Sequence, residues 1–160
     1  MFRITFAIAA MALPVAASAA PPAISGTTFI KKAGASDQYE IQSSRLVTGS
    51  TNAKVRDFAE QMIRDHTKST GEVKAAARQA GLTVPPPALE PMQARMIAEL
   101  RRTPVSRRDT VYITQQKRAH QMALELHRGY AADGKVAPLK AAAGQIAPVV
   151  QHHIEELNRM

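Results

Sequence analysis

No cysteine and no tryptophan occur in the 160-residue chain, and aromatic residues make up only 4% of it. The first absence excludes a disulfide framework, a thiolate metal site, a catalytic thiol and a lipid-anchored N-terminal cysteine. Stability must therefore come from packing alone. With few aromatics and abundant alanine, the core is expected to be built from small and aliphatic side chains, and alanine favours helix over strand. Also absent are G-x-S-x-G, a phosphate-binding glycine loop and H-E-x-x-H, which removes the common signatures of serine hydrolases, nucleotide-binding loops and zinc proteases. Beyond the N-terminus, no apolar run is long enough to cross a bilayer, which takes about 20 residues.

Hydrophobic residues, at 45%, suffice for one real core, and the length fits one domain. The N-terminus stands apart. Met1-Phe2-Arg3 is a short positive start, Ile4 to Leu13 is nearly all apolar, Pro14 interrupts it, and Ala17-Ser18-Ala19 is an A-x-A cleavage signal. This pattern predicts a secretory signal peptide over residues 1–19, cut after Ala19 or Ala20, and a periplasmic or secreted protein with no transmembrane helix after cleavage. A flexible lead-in over 20–27, with Pro21, Pro22 and Gly26, is expected before a helical domain over 28–158. The net charge is +8. In an exported protein such a charge suits anionic envelope polymers or lipid headgroups, and no nucleic-acid partner is expected.

Hydrophobic spacing of three and four predicts four long helices. The first runs from Thr28 to Val47, with an inward stripe of Ile30, Ala33, Asp37, Glu40, Ser44 and Val47 that is polar in its middle. The second covers Ala53 to Ala80, through Val55, Phe58, Met62, His66, Val73 and Ala77. Ser50 or Asn52 is expected to cap it, and Gly81 with Pro85-Pro86-Pro87 to end it. A short helix over Leu89–Arg102 follows in the link. The third long helix, Arg107 to Ala132, is expected to be capped by Ser106 and to turn Tyr112, Gln116, His120, Ala123, Leu126 and Tyr130 inward. The fourth, Val136 to Asn158, carries Leu139, Ala143, Ile146, Val149 with Val150, His153 and Leu157, and Pro148 inside it should produce a kink. No strand-like alternation competes. The expected architecture is an all-α four-helix bundle with one extra short helix in the link between helices 2 and 3.

Each long helix places one strong ligand type on its inward stripe: Glu40, His66, His120 and His153. Facing helices build metal sites in bundle cores, and imidazole with carboxylate suits zinc, copper, iron or manganese. The competing reading is a hydrogen-bonded polar network that fixes helix register. Di-iron bundles use Glu-x-x-His on two helices, and no such spacing occurs here. His153-x-x-Glu156 and His152-x-x-Glu155 have the reversed spacing, the second pair expected to face solvent. Asp65, beside His66 but on another face, is expected to pair locally, for instance with Lys68. His127, one residue off its stripe, is expected at a boundary. Met62, Met92, Met96 and Met122 are dispersed and read as core filling. Arg101, Arg102, Arg107 and Arg108 bracket a Thr-Pro turn and form the densest positive patch, a candidate anion site or a solvated helix end.

An ordered series of segments carries a family likeness: Asp37-x-x-Glu40-Ile-Gln-Ser-Ser-Arg-Leu, Phe58-Ala-Glu-Gln-Met-Ile-Arg-Asp-His66-Thr, Tyr112, Ala119-His120-Gln, Tyr130-Ala-Ala-Asp-Gly134 and the late His153. From about Phe29 to Leu157 the chain resembles the domain-of-unknown-function 4142 family of exported bacterial proteins. The resemblance implies a ferritin-like bundle in a bacterial envelope and brings no established activity. By position, Glu40, His66, His120 and His153 match the polar positions of that pattern. The chain departs from it at Arg108-Asp109-Thr110 and at Ile146-Ala-Pro-Val-Val.

Three functions are weighed on these residues. The first is a non-enzymatic bundle holding a divalent transition metal on Glu40, His66, His120 and His153. The second is an envelope interaction protein with a metal-free polar core that uses the arginine patch. The third, a metal-dependent oxidase or peroxide-handling enzyme, is disfavoured by the missing Glu-x-x-His pairs.

Overall fold

A computed structural model describes residues 24–160. The expected signal peptide and the first half of the expected lead-in, residues 20–23, lie outside the described residues. Within them the chain forms five helices and no strand: α1 (Gly26–Arg45), α2 (Ala53–Gln79), α3 (Pro91–Arg102), α4 (Val105–Asp133) and α5 (Ala137–Leu157). No described helix is long and apolar enough to cross a membrane.

Local chemistry sets the boundaries. The Ser25 hydroxyl accepts from the Thr28 amide at 3.1 Å, which starts α1 at Gly26, ahead of the expected Thr28. Asn52, one of the two expected caps, accepts from the Lys54 amide at 3.1 Å at the head of α2. Gly81, just past the end of α2, takes φ +69°, a conformation open to glycine at little cost. At the head of α3, Glu90 and Gln93 form a capping box and Pro91 occupies the first turn.

The expected Ser106 cap of α4 is not used. Pro104 occupies the N-cap position without a side-chain bond, and its carbonyl accepts from the Arg107 amide at 2.9 Å. Proline at φ −53° already has a helix-compatible φ, so the helix begins sooner than the serine suggested. Gly134 ends α4, where a Cβ would meet the Tyr130 carbonyl oxygen at 2.5 Å. α5 continues through Pro148.

α1 packs on α2 and α4, and α5 packs on α4 and α2, so the four long helices close a ring. α3 lies across α1 and α4. The interior is layered. One apolar cluster joins Phe29, Val73, Tyr130, Leu139 and Ile146. A second, at the other end, joins Val55, Phe58, Met62, Tyr112 and Leu157. Between them on every long helix lie buried polar residues: Asp37 and Glu40 on α1, His66 on α2, Gln116 and His120 on α4, and His153 on α5.

A few expected core positions differ. Val149 is exposed and Val150 beside it is buried, so α5 turns only one of the pair inward. Met62 and Met96 fill core as expected, but Met122 is 42% exposed and is not core filling. Conversely His127, expected at a boundary, is fully buried. Its ring meets Phe29 edge-to-face at 5.5 Å, because α1 and α5 flank α4 on two sides and leave no boundary there.

Candidate metal centre

The three inward histidines meet at one height. Their ring centroids form a nearly equilateral triangle: 5.5 Å from His66 to His120, 5.6 Å from His66 to His153, and 5.3 Å from His120 to His153. Each offers one ring nitrogen such that the three lie within 4.8 Å of one another. All three side chains are buried. Phe58 covers them from the apolar end, 6.3 Å from both His120 and His153.

One nitrogen of each ring is engaged by an oxygen. His66 Nδ1 donates to Asp37 Oδ1 at 2.9 Å, His120 Nδ1 to the Gln116 carbonyl at 3.0 Å, and His153 Nε2 to Asp65 Oδ2 at 2.9 Å. The acceptors fix the proton on those nitrogens. The opposite nitrogens, His66 Nε2, His120 Nε2 and His153 Nδ1, are buried without a hydrogen-bond partner. Buried polar atoms are rarely left so. Asp37 is held in turn by Thr70 Oγ1, which donates to Oδ2 at 2.9 Å.

Glu40 stands apart from this triangle. It is not among the groups whose ligand atoms converge. Its Oε1 lies 3.6 Å from His120 Nδ1, the nitrogen already engaged by Gln116. Both carboxyl oxygens are buried and unpartnered. The structure thus brings together three of the four residues on the inward stripes and sets Glu40 behind His120.

The electrostatics follow from burial. Burial raises the Glu40 carboxyl to about 7, with His66 pulling the other way. Burial lowers His120 well below the usual imidazole value, and His66 and His153 lower it further. His153 falls to about 4, again first through burial and then His66, with Asp65 opposing. His66 alone is raised: burial opposes its charge, but Asp37, Glu40 and Asp65 together outweigh burial. His120 and His153 are thus pushed toward the neutral form, which is the form that ligates a metal.

Two carboxylates were misjudged or unassigned from sequence. Asp65 does not pair with Lys68; it bonds His153, and Lys68 pairs with Glu72 at 3.7 Å. Asp65 sits one residue from His66, about 100° around α2, which aims it at α5 instead of the centre. Asp37 was visible on the α1 stripe, three residues before Glu40, but nothing in the spacing assigned it to His66. The reversed pairs also rearrange: Glu156 accepts from Gln61 at 2.9 Å and lies 3.6 Å from the exposed His152, while Glu155 accepts from Gln151 at 3.2 Å.

The arginine patch is at the surface. Arg101, Arg102 and Arg107 are exposed. Arg108 is half-buried, and its guanidinium donates to the Thr103 carbonyl at 3.1 and 3.3 Å, which braces the turn.

The family described as domain of unknown function (DUF4142) matches residues 11–160. The chain belongs to this family. A solved structure similar to it is the crystal structure of a DUF305 fragment from Deinococcus radiodurans, with a TM-score of 0.71 and 18% identity, covering 86% of this chain and 96% of that one. At that identity the likeness speaks for the helical fold alone. No curated protein matches the chain. In this DUF4142 protein the ordered segments that carried the family likeness supply Asp37, Glu40, Asp65, His66, His120 and His153, all of them at or next to the histidine triangle.

Proposed function

We propose that this protein is an exported ferritin-like four-helix bundle, with α3 as an extra short helix in the link, that binds one divalent transition metal on His66, His120 and His153. The observation that carries the reading is the pairing at each ring: one nitrogen bonded to an oxygen, the opposite one buried and free. Metal-bound histidines commonly donate their far N–H to a carboxylate or backbone carbonyl, which fixes the tautomer and raises ligand basicity. Asp37, Gln116 and Asp65 supply those acceptors here. Three imidazoles leave a tetrahedral ion one open position, and the ligand type suits zinc, copper, iron or manganese. Glu40, held behind His120, is an electrostatic partner of the charged cluster and a fourth ligand only if its side chain swings. Export rests on the signal-peptide pattern of residues 1–19 and places the site in the periplasm or outside the cell.

The test is metal content. Protein purified without a polyhistidine tag, exposed to zinc, copper, iron and manganese and then desalted, should retain about one equivalent of one of these by mass spectrometry, and His153→Ala should retain none. Equal background metal in both would leave the triangle as a structural network.

A second reading has its own observation. Arg101, Arg102 and Arg107 are exposed and close in sequence around a turn that Arg108 braces, an arrangement suited to anionic envelope polymer or lipid headgroups. Its mark is binding to anionic vesicles that weakens with salt and ignores metal.

A further inference from the structure

α4 is longer than the helix that covers its outer side. α3 has 12 residues and α4 has 29. α3 packs Met96 and Ile97 with Tyr39, with Met92 and Ala119 at the edge of that cluster. Past Ala119, the outer stripe of α4 runs on without α3 above it. What results is a cavity of about 420 Å³, between the end of α3, the outer side of α1 and the second half of α4.

Met92, Met96, Met122 and Leu126 give it an adaptable apolar lining. Methionine follows the shape of a ligand and makes favourable sulfur contacts with aromatic rings. Tyr130 lines it too, and the Tyr130 hydroxyl is buried without a hydrogen-bond partner. The charged residues at its walls are Glu90, Glu125 and Asp133 against a single Lys32. On a chain whose net charge is +8, this is a locally acidic pocket. A cation entering here meets three carboxylates around an apolar floor. Volume, lining and charge agree with the concave, mostly apolar sites that take small molecules.

We propose that this cavity binds a small amphipathic organic cation, an apolar or aromatic body carrying an ammonium group. The body lies against the methionines and Leu126, and the ammonium sits at the acidic rim. The site is separate from the histidine triangle and needs no metal.

Two fluorescent probes test it on the purified chain in the presence of a chelator. Dansylcadaverine carries an ammonium, and dansyl-aminocaproate carries a carboxylate on the same fluorophore. The cation should bind saturably, one per chain, with blue-shifted emission, and at least about tenfold more tightly than the anion. Met122→Lys, at an exposed position, should keep the helical circular dichroism of the wild type and weaken the cation by about tenfold or more. The double variant Glu125→Gln/Asp133→Asn should weaken the cation several-fold and bind the anion at least as tightly as wild type does, which narrows the difference between the two probes. Equal binding of the two probes, binding that does not saturate, or a Met122→Lys protein that binds like wild type would overturn the proposal. With metal chelated throughout, none of these outcomes bears on the histidine site.

Discussion

About two turns of α4 separate two buried histidines that the fold treats in opposite ways. His120 faces two other imidazoles, a carboxyl and a carbonyl. His127 faces the ring of Phe29 and the apolar end of the interior. Both are buried, and in both burial lowers the imidazole, His127 to about 4. Burial and a depressed pKa therefore do not mark a site. What distinguishes His120 is company: second and third imidazoles at the same height, with oxygens behind each ring. His127 has an unpartnered Nδ1 as well, but among the described residues it belongs to no group of three or more converging ligands.

That contrast should be sharpest in metal binding. Replacing His120 with leucine should cost on the order of a hundredfold or more in metal affinity, whereas His127→Leu should leave it within about twofold. The apo stability of His127→Leu should stay within about 1 kcal/mol of wild type, since an apolar side chain of similar size replaces a poorly satisfied one. Isothermal titration and thermal melts check both. A His127 variant that loses metal would erase the distinction.

Glu40 gives the next largest effect, and its sign is fixed by linkage. Its folded pKa of about 7 lies above its ordinary value of 4.5. The folded protein therefore binds the proton more tightly, and this carboxyl takes away stability as pH rises from 4.5 through 7. In the metal-free protein, Glu40→Gln should be more stable than wild type above pH 7, by roughly 3 kcal/mol, and the gain should vanish toward pH 4.5. Denaturant melts across that range measure it. A pH-independent difference would mean that Glu40 is not the buried acid described.

Asp37→Asn and Asp65→Asn replace the carboxylates behind His66 and His153 with neutral amides and should each weaken metal binding by about ten- to a hundredfold. Binding should also tighten with pH until His66 has lost its proton, because the three carboxylates around it hold that proton above the usual imidazole range and the metal must displace it. The smallest effect belongs to the surface: Arg102→Gln should change stability by less than about 0.5 kcal/mol and leave metal binding unaltered.

Much of this was legible in the sequence. The three-and-four spacing of Val55, Phe58, Met62 and His66 on α2, of Tyr112, Gln116 and His120 on α4, and of Ile146, Val150, His153 and Leu157 on α5, assigned the helices and the inward faces, and with them the three residues of the triangle. Periodicity gives angle around one helix; it does not say which neighbour that angle meets. Each long helix here packs on two others, so a residue one step from the central stripe faces a second helix and not solvent. Asp65 and His127 are both such residues, and both were placed wrongly for that reason. Height was equally hidden. That His66, His120 and His153 share a level, while Glu40 falls behind His120, depends on how far each helix slides along its partner, and the spacing within one helix carries no record of that.

The central claim is that three imidazoles hold one ion. X-ray absorption spectroscopy of the zinc-loaded protein reads that shell directly. The account predicts three imidazole nitrogens at about 2.0–2.1 Å with one light oxygen or nitrogen donor beside them. A shell made of oxygen donors, or one with a single imidazole, would contradict it.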